Sequence, residues 1–264
     1  MAPSCRATPE AAERVLALAE GKAEVVYHPQ AFLSDGHFAG TDEQRAAALV
    51  EAANDPAFDA VWFARGGYGS NRIVERVLPQ LGPVAREKAW MGYSDSGFLF
   101  AGLYGAGFRN IFHGPLAQDV MRPGGEAATT RALDWLSARA PEALEPSLRP
   151  GEKAAAFNLT VFSHLVGTAL QPDLAGHVLM LEDVDEHMYR VDRAMFHVTS
   201  NARVREVAGI RLGRVSAVPP NNPDFVRTEE DVVQDWCARA GIAYLGRADI
   251  GHDPDNKVVP FGGI

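Results

Sequence analysis

Lys88-Ala89-Trp90-Met91-Gly92-Tyr93-Ser94-Asp95-Ser96-Gly97 is an apolar run that breaks at a glycine, passes a serine and gives way to Phe98-Leu99-Phe100-Ala101. Residues 89–91 have the texture of a buried strand, and the segment from Phe98 to Tyr104 has that of a helix. A strand that turns sharply into a helix through Gly-x-Ser pushes the serine hydroxyl out of the backbone envelope. The next N–H and the helix N-terminus then face whatever sits above that hydroxyl. This is the geometry a serine nucleophile needs, with one oxyanion donor built in. A five-residue elbow ordinarily ends in glycine, but Ser96 stands there instead, and a serine in such a place also serves as a turn residue or helix cap.

The rhythm on either side gives the fold class. Residues 1–4 read as the stub of a first strand. Thr8-Pro9-Glu10 supplies an N-cap, a proline at the first helical position and an early acid, opening a helix to about Ala19. Ala23 to Tyr27 reads as a short strand. Thr41-Asp42-Glu43-Gln44 is a capping box before an alanine-rich helix to about Asn54, and Ala60 to Ala64 is again of strand length. Such alternation predicts an α/β protein whose parallel sheet is buried on both faces, with the working loops at the carboxyl ends of the strands.

Two of those ends stand out, at Arg65 and at Gly92. Arg65-Gly66-Gly67-Tyr68-Gly69-Ser70 fits neither the dinucleotide nor the P-loop pattern. It is either a tight turn or a backbone brought close to a ligand with its N–H groups presented, and beside an elbow serine those groups would complete an oxyanion hole. Arg109 to Pro115 is once more strand into turn, making His113 either a base or part of a structural turn.

A helix over residues 129–138 leads to residues 140–153, which combine prolines and charges without a period and read as a linker. The expected division is 1–140, linker 141–153, and 154–264. Beyond it, residues 157–170 look helical and 176–181 form a strand ending in Glu182-Asp183-Val184-Asp185-Glu186. Four carboxylates in five residues make either a solvated acidic turn or a cation site, although the calcium-loop pattern is absent. A helix over 189–198, a strand over 206–212, a helix from Thr228 to Ala240 and a strand over 243–245 follow, and Gly251-His252 lies near the end. Ser94, Glu182 and His252 in that order satisfy the logic of nucleophile, orienting acid and base, whose roles need no proximity in sequence.

Composition sets the outer limits. The chain has 264 residues, 47% hydrophobic and 22% charged, as expected of one large or two modest globular domains. A formal charge of −9 argues against nucleic acid and against an anionic membrane surface as partners. Cys5 and Cys237 are too few for a disulfide framework and fit no metal spacing, and Cys237 reads as a buried free thiol. With no leader-like start and no bilayer-length apolar run, the cytoplasm is the default compartment.

Arg-Gly-Gly-Tyr-Gly-Ser, Gly-Tyr-Ser-Asp, His-Gly-Pro, Leu-Glu-Asp-Val-x-Glu-x-x-Tyr-Arg-Val-Asp-Arg and Gly-His, in this order over nearly the whole chain, resemble the LD-carboxypeptidase family of serine peptidases. Its members are muramoyltetrapeptide carboxypeptidases, with microcin-C immunity peptidases as relatives. The resemblance implies an N-terminal α/β domain bearing the nucleophile and a smaller β-rich C-terminal domain bearing acid and base, with the site in the cleft. It places the nucleophile on Ser94, the acid on Glu182 and the base on His252. The oxyanion donors fall on the backbone of Asp95 and of Gly66 or Gly67, and Arg65 and Tyr68 are candidates for holding substrate. The implied reaction releases D-alanine from a murein tetrapeptide through an acyl-enzyme, without metal or organic cofactor, in a homodimer. The alternatives are cleavage of peptidyl or aminoacyl nucleotides, or a non-catalytic α/β protein that holds an anion. The chain departs from the family where Phe157, not paired glycines, precedes Asn158-Leu159, in the proline-rich stretch over 215–225, and in ending soon after Gly262.

Overall fold

The computed structural model of the chain describes residues 1–263. The first half runs α1 (Pro9–Ala19), α2 (Asp42–Asn54), β1 (Ala60–Trp62), α3 (Val74–Val77), α4 (Pro83–Glu87), β2 (Ala89–Gly92), α5 (Gly97–Gly105), β3 (Ile111–His113) and α6 (Gly125–Ala138). The second half runs β4 (Lys153–Asn158), α7 (Leu159–Leu165), β5 (Val178–Val184), α8 (Met188–Ser200), β6 (Gly209–Ser216), α9 (Glu229–Ala240), β7 (Tyr244–Arg247), β8 (Val259–Pro260) and β9 (Gly262–Gly263). The caps read from the sequence are made. Thr8 Oγ1 accepts from Ala11 N–H at 3.3 Å, and Thr41 and Gln44 close a reciprocal box, as do Thr228 and Asp231.

Two sheets result. In the first, ordered β1-β2-β3-β8, the first three strands are parallel and β8 is antiparallel to β3. In the second, ordered β7-β6-β5-β4-β9, β4 to β7 are parallel and β9 is antiparallel to β4. Strands β2 and β5 lie inside their sheets and are buried almost throughout, which is why both read as near-continuous apolar runs. The last residues pair with one sheet and then the other, and buried Phe261 between them packs on Phe100 and Phe157. One apolar cluster takes in Trp90 and Phe100 from the first half and Phe157, Phe162 and Leu181 from the second, so the halves share a core.

Some expected elements are absent. Residues 1–4 form no strand, because their polar groups are satisfied without a ladder. The Gln30 side chain accepts from Ala2 N–H and donates to the Ala2 and Ala39 carbonyls, while Met1 O accepts from Ala64 N–H. Residues 23–27 are likewise unpaired. The segment expected to be helical from Phe157 is strand through Asn158, whose side chain then caps α7 by accepting from Val161 N–H at 3.0 Å. Residues 141–153 are packed down on the end of the chain. Leu144 bridges to Val258, and buried Glu145 accepts from Asp249 N–H at 3.0 Å and Ser147 N–H at 2.9 Å.

Candidate active site

The turn between β2 and α5 has the strained form the sequence suggested. Tyr93 is extended, and Ser94 takes φ = 60°, a left-handed conformation that costs a non-glycine residue about 1–2 kcal/mol. Such strain persists where the surroundings over-determine it, and here they do. A Cβ on Gly92 would lie 2.9 Å from Phe63 and 3.0 Å from Ser96 Oγ, so only glycine fits before the turn. Ser96, in the fifth place, has its hydroxyl buried without a partner among the described residues. Ser94 itself remains partly exposed at the floor of a cavity.

The glycine turn after β1 lies directly on this serine. A Cβ on Gly66 would come within 3.2 Å of Ser94 Cβ and 3.3 Å of Ser94 Oγ. The Gly66 carbonyl accepts from Cys5 N–H, so the N–H of Gly67, on the same trans peptide, points the opposite way. Asp95, the residue after the serine, binds turn to elbow. Its buried carboxylate accepts from Ser70 N–H at 2.8 Å and from Ser4 Oγ–H, and Ser70 Oγ–H donates back to the Asp95 carbonyl at 2.5 Å. Buried Arg45 holds the turn from behind through the Gly69 carbonyl at 2.8 Å.

Glu182 and His252 come from the second half. Glu182 sits on β5 with its side chain wholly buried, and Oε2 lies 2.6 Å from His252 Nδ1 in the loop after β7. Burial pulls the imidazole pKa down, but the charge and hydrogen bond of Glu182 outweigh it and leave the group above its ordinary value. The ring packs 4.7 Å from that of Tyr93, the residue before Ser94. The structure therefore brings Gly66 and Asp95 against Ser94, with Gly67 beside it, and places the Glu182–His252 pair against Tyr93, the residue before it. Among the described residues no hydrogen bond joins Ser94 Oγ to the imidazole, a bond that in ligand-free enzymes often tightens only around the substrate.

The cavity above Ser94 encloses about 660 Å³. Tyr68 and Phe98 give it aromatic surface, Asn158 and Thr160 polar surface, and Glu75, Asp183 and Glu186 an acidic wall; no lysine or arginine is among the described lining residues. Asp183 is pushed up to about 6 by burial and by the adjacent charge of Glu182. It accepts from Asn158 Nδ2–H at 2.8 Å and Thr160 Oγ1–H at 2.9 Å, which fixes the start of α7.

Several expected roles move. The acidic stretch over 182–186 is not a solvated turn, since Glu182 and Asp183 lie inside β5. His113 is buried, burial drives its pKa down to about 4, and it contacts Asn256 Oδ1 at 3.1 Å, so it does not stand at the hydroxyl as a base. Arg65 is turned to the Arg6 carbonyl at 3.0 Å and does not line the cavity, whereas Tyr68 does. Phe157 is packed against Gly97, Phe162 and Phe261 rather than narrowing the cavity. Sequence reasoning missed Arg122 and Asn256, which lie far apart in the chain and bear no motif, and it read Asn158 and Thr160 only as a helix entry. Among the described residues no group of three His, Cys, Asp or Glu side chains has the arrangement of a metal site, and no helix is long and apolar enough to cross a membrane.

The LD-carboxypeptidase N-terminal domain profile matches residues 1–114, and the LD-carboxypeptidase C-terminal domain profile matches residues 154–264. A putative carboxypeptidase of Synechocystis is 32% identical over 242 residues, 86% of this chain and 75% of its own length. The murein tetrapeptide carboxypeptidase of Pseudomonas aeruginosa is 26% identical over 248 residues, 86% of this chain and 78% of its own. The solved muramoyltetrapeptide carboxypeptidase of Oxalobacter formigenes superposes with a TM-score of 0.82 at 23% identity, over 100% of this chain and 92% of that one. The microcin C7 self-immunity protein with aspartyl sulfamoyl adenosine gives 0.80 at 20% identity, over 99% and 90%. Those two likenesses show a shared fold.

Proposed function

This chain belongs to the LD-carboxypeptidase family of serine peptidases, and from that premise we propose that it releases the terminal D-alanine of a murein tetrapeptide through a Ser94–His252–Glu182 triad. The observation that carries the reading is the Glu182–His252 pair, delivered at 2.6 Å from the second half and packed on Tyr93 beside the strained serine. On this reading residues 1–140 supply the nucleophile, 154–264 supply acid and base, and 141–153 join them.

In the first step Ser94 Oγ attacks the carbonyl carbon of the scissile amide while its proton passes to His252 Nε2. Glu182 keeps the ring's other proton on Nδ1 and stabilises the imidazolium. The tetrahedral oxyanion rests on the N–H of Asp95 and of Gly67, each worth about 3 kcal/mol by comparison with other such donors. Collapse breaks the C–N bond, the imidazolium returns its proton to the departing amine, and D-alanine leaves. Water, deprotonated by His252, then hydrolyses the ester and restores Ser94. The chemistry needs no metal or organic cofactor. Peptidoglycan recycling in the cytoplasm is the role this activity would serve, and a homodimer is the assembly the family implies.

Tyr68 and Phe98 would offer stacking to a nucleobase, which is the second reading of the site. The deciding test is D-alanine release from L-Ala-γ-D-Glu-meso-diaminopimelate-D-Ala by wild type and Ser94→Ala. Release by wild type that drops by about 10⁴-fold or more in the variant is expected. Release that survives the substitution would remove Ser94 from its role, and no release by either would move the substrate to a nucleotide-linked peptide.

A further inference from the structure

The loop that carries His252 grows out of the second sheet, yet much of what fixes its backbone comes from the nucleophile's half. Arg122 donates from Nη1 to the His252 carbonyl. Arg131 on α6 donates to the carbonyls of Pro254 at 2.8 Å and Asn256 at 3.0 Å. Asn256 Oδ1 meets His113 at 3.1 Å and accepts from Gly251 N–H at 3.1 Å.

Arg122 is itself aimed. Its Nε lies 3.2 Å from Asp119 Oδ1, and the Tyr93 hydroxyl donates to that same oxygen at 3.3 Å. Tyr93 and Asp119 are buried, and the second Asp119 oxygen accepts from Leu116 N–H at 2.9 Å, so the carboxylate cannot swing away. A hydrogen-bonded chain thus runs from the residue before Ser94, through Asp119 and Arg122, to the main chain of His252. Glu182 governs the ring through Nδ1 but leaves the pivot at Cα free. A base needs both fixed to meet a hydroxyl at bonding distance.

We propose that Arg122, held by Asp119 and Tyr93, is a positioning residue that locks the His252 main chain to the elbow and so sets the Ser94–His252 distance. The inference rests on the reading of Ser94 and His252 as nucleophile and base. A misplacement of about 1 Å in such a pair costs about 100-fold in rate, so Arg122→Met should lower kcat by about 30–100-fold. KM should change by less than about threefold, since no substrate contact is removed. Arg122→Lys, which can still donate to the carbonyl, should recover most of the loss. Tyr93→Phe removes one hydroxyl and should act in the same chain, so the double variant with Arg122→Met should be no slower than Arg122→Met alone.

Arg122 is partly exposed, so the methionine variant should fold, and its melting curve would check this. Methionine and lysine variants that are equally slow, a loss confined to KM, or a kcat within about twofold of wild type would overturn the proposal. The low-field NMR signal of the His252 Nδ1 proton gives a readout without substrate. If wild type releases nothing from the tetrapeptide, the functional reading fails, and this signal still decides. A shift or broadening in Arg122→Met supports the lock, and an unchanged signal refutes it.

Discussion

Glu182→Gln keeps the volume of a fully buried side chain and removes its charge. In the native pair Oε2 is 2.6 Å from His252 Nδ1, and Oε1 meets no donor among the described residues. The glutamine amide has two ways to sit. With its oxygen toward the histidine, its NH₂ lies where Oε1 now has no partner, a buried orphan donor costing about 1–3 kcal/mol. With its nitrogen toward the histidine, Nδ1 must accept, the ring proton moves to Nε2, and the base is in the wrong tautomer. Either way the imidazolium formed during attack loses its anion. Two unit charges about 4 Å apart at an effective dielectric of about 20 interact by about 4 kcal/mol, so kcat/KM should fall about 1,000-fold. The pH profile should move as well. In wild type the Glu182 charge outweighs burial and holds the His252 pKa above its ordinary value, so the acidic limb of kcat/KM lies above that of a free histidine. In the variant the Glu182 charge no longer outweighs burial, and the limb should shift to lower pH. Initial rates of D-alanine release across the acid-to-neutral range measure both effects. A variant within about tenfold of wild type, with its acidic limb unmoved, would show that Glu182 does not act through His252.

Three further outcomes follow from the same geometry. Ser94→Gly should be inactive but more stable than Ser94→Ala by about 1 kcal/mol, because only glycine adopts φ = 60° without strain; melting temperatures of the two dead variants give the difference. Gly66→Ala places a methyl 3.2 Å from Ser94 Cβ and 3.3 Å from Leu116. The serine must yield, so kcat should drop about 10-fold with the fold intact by circular dichroism. Arg45→Met strands the Gly69, Pro3 and Gly40 carbonyls around a side chain that is 0% exposed, while Asp42 keeps its pair with Arg72. It should cost about 3–5 kcal/mol and lower the melting temperature by about 10 °C.

What could be read in advance was local. Gly92 and Ser94 announce a turn because glycine and serine at those places have a steric consequence within five residues, and the threonine caps of α1, α2 and α9 are closed within one helical turn. The early strands were misread because Ala23 to Tyr27 has strand composition but no neighbouring strand to pair with, and pairing is not a property of a segment. Glu182 shows the same limit from the other side. Its composition is that of a solvated acidic turn, and only the parallel pairing of β5 with β4 and β6 shows it to be inside a sheet. The chain order of Ser94, Glu182 and His252 allowed a partnership, and only the resemblance to a known family singled it out for proposal. Nothing in Arg122 or Asn256 distinguished them from surface residues in turns.

The route of the chain end explains why these later contacts matter. The loop bearing His252 is bounded by β7, at the edge of the second sheet, and by β8, which adds to the first sheet beside β3. Its two ends are therefore anchored to different sheets, and neither sheet alone fixes where the imidazole stands. Glu182 ties the ring to the second sheet, and Arg214 on β6 ties the loop there through the Ile250 carbonyl at 2.9 Å and the Asp249 carboxylate at 2.5 Å. Arg122 and Arg131 tie the main chain to the first half. Separate losses on the two sides should differ in kind. Weakening the Glu182 side lowers the proton affinity of the ring and moves the pH profile down. The Arg122 cation lowers that affinity, so its loss moves the profile the other way and adds a loss of kcat through distance. A base held by one half alone would not divide its effects in this way.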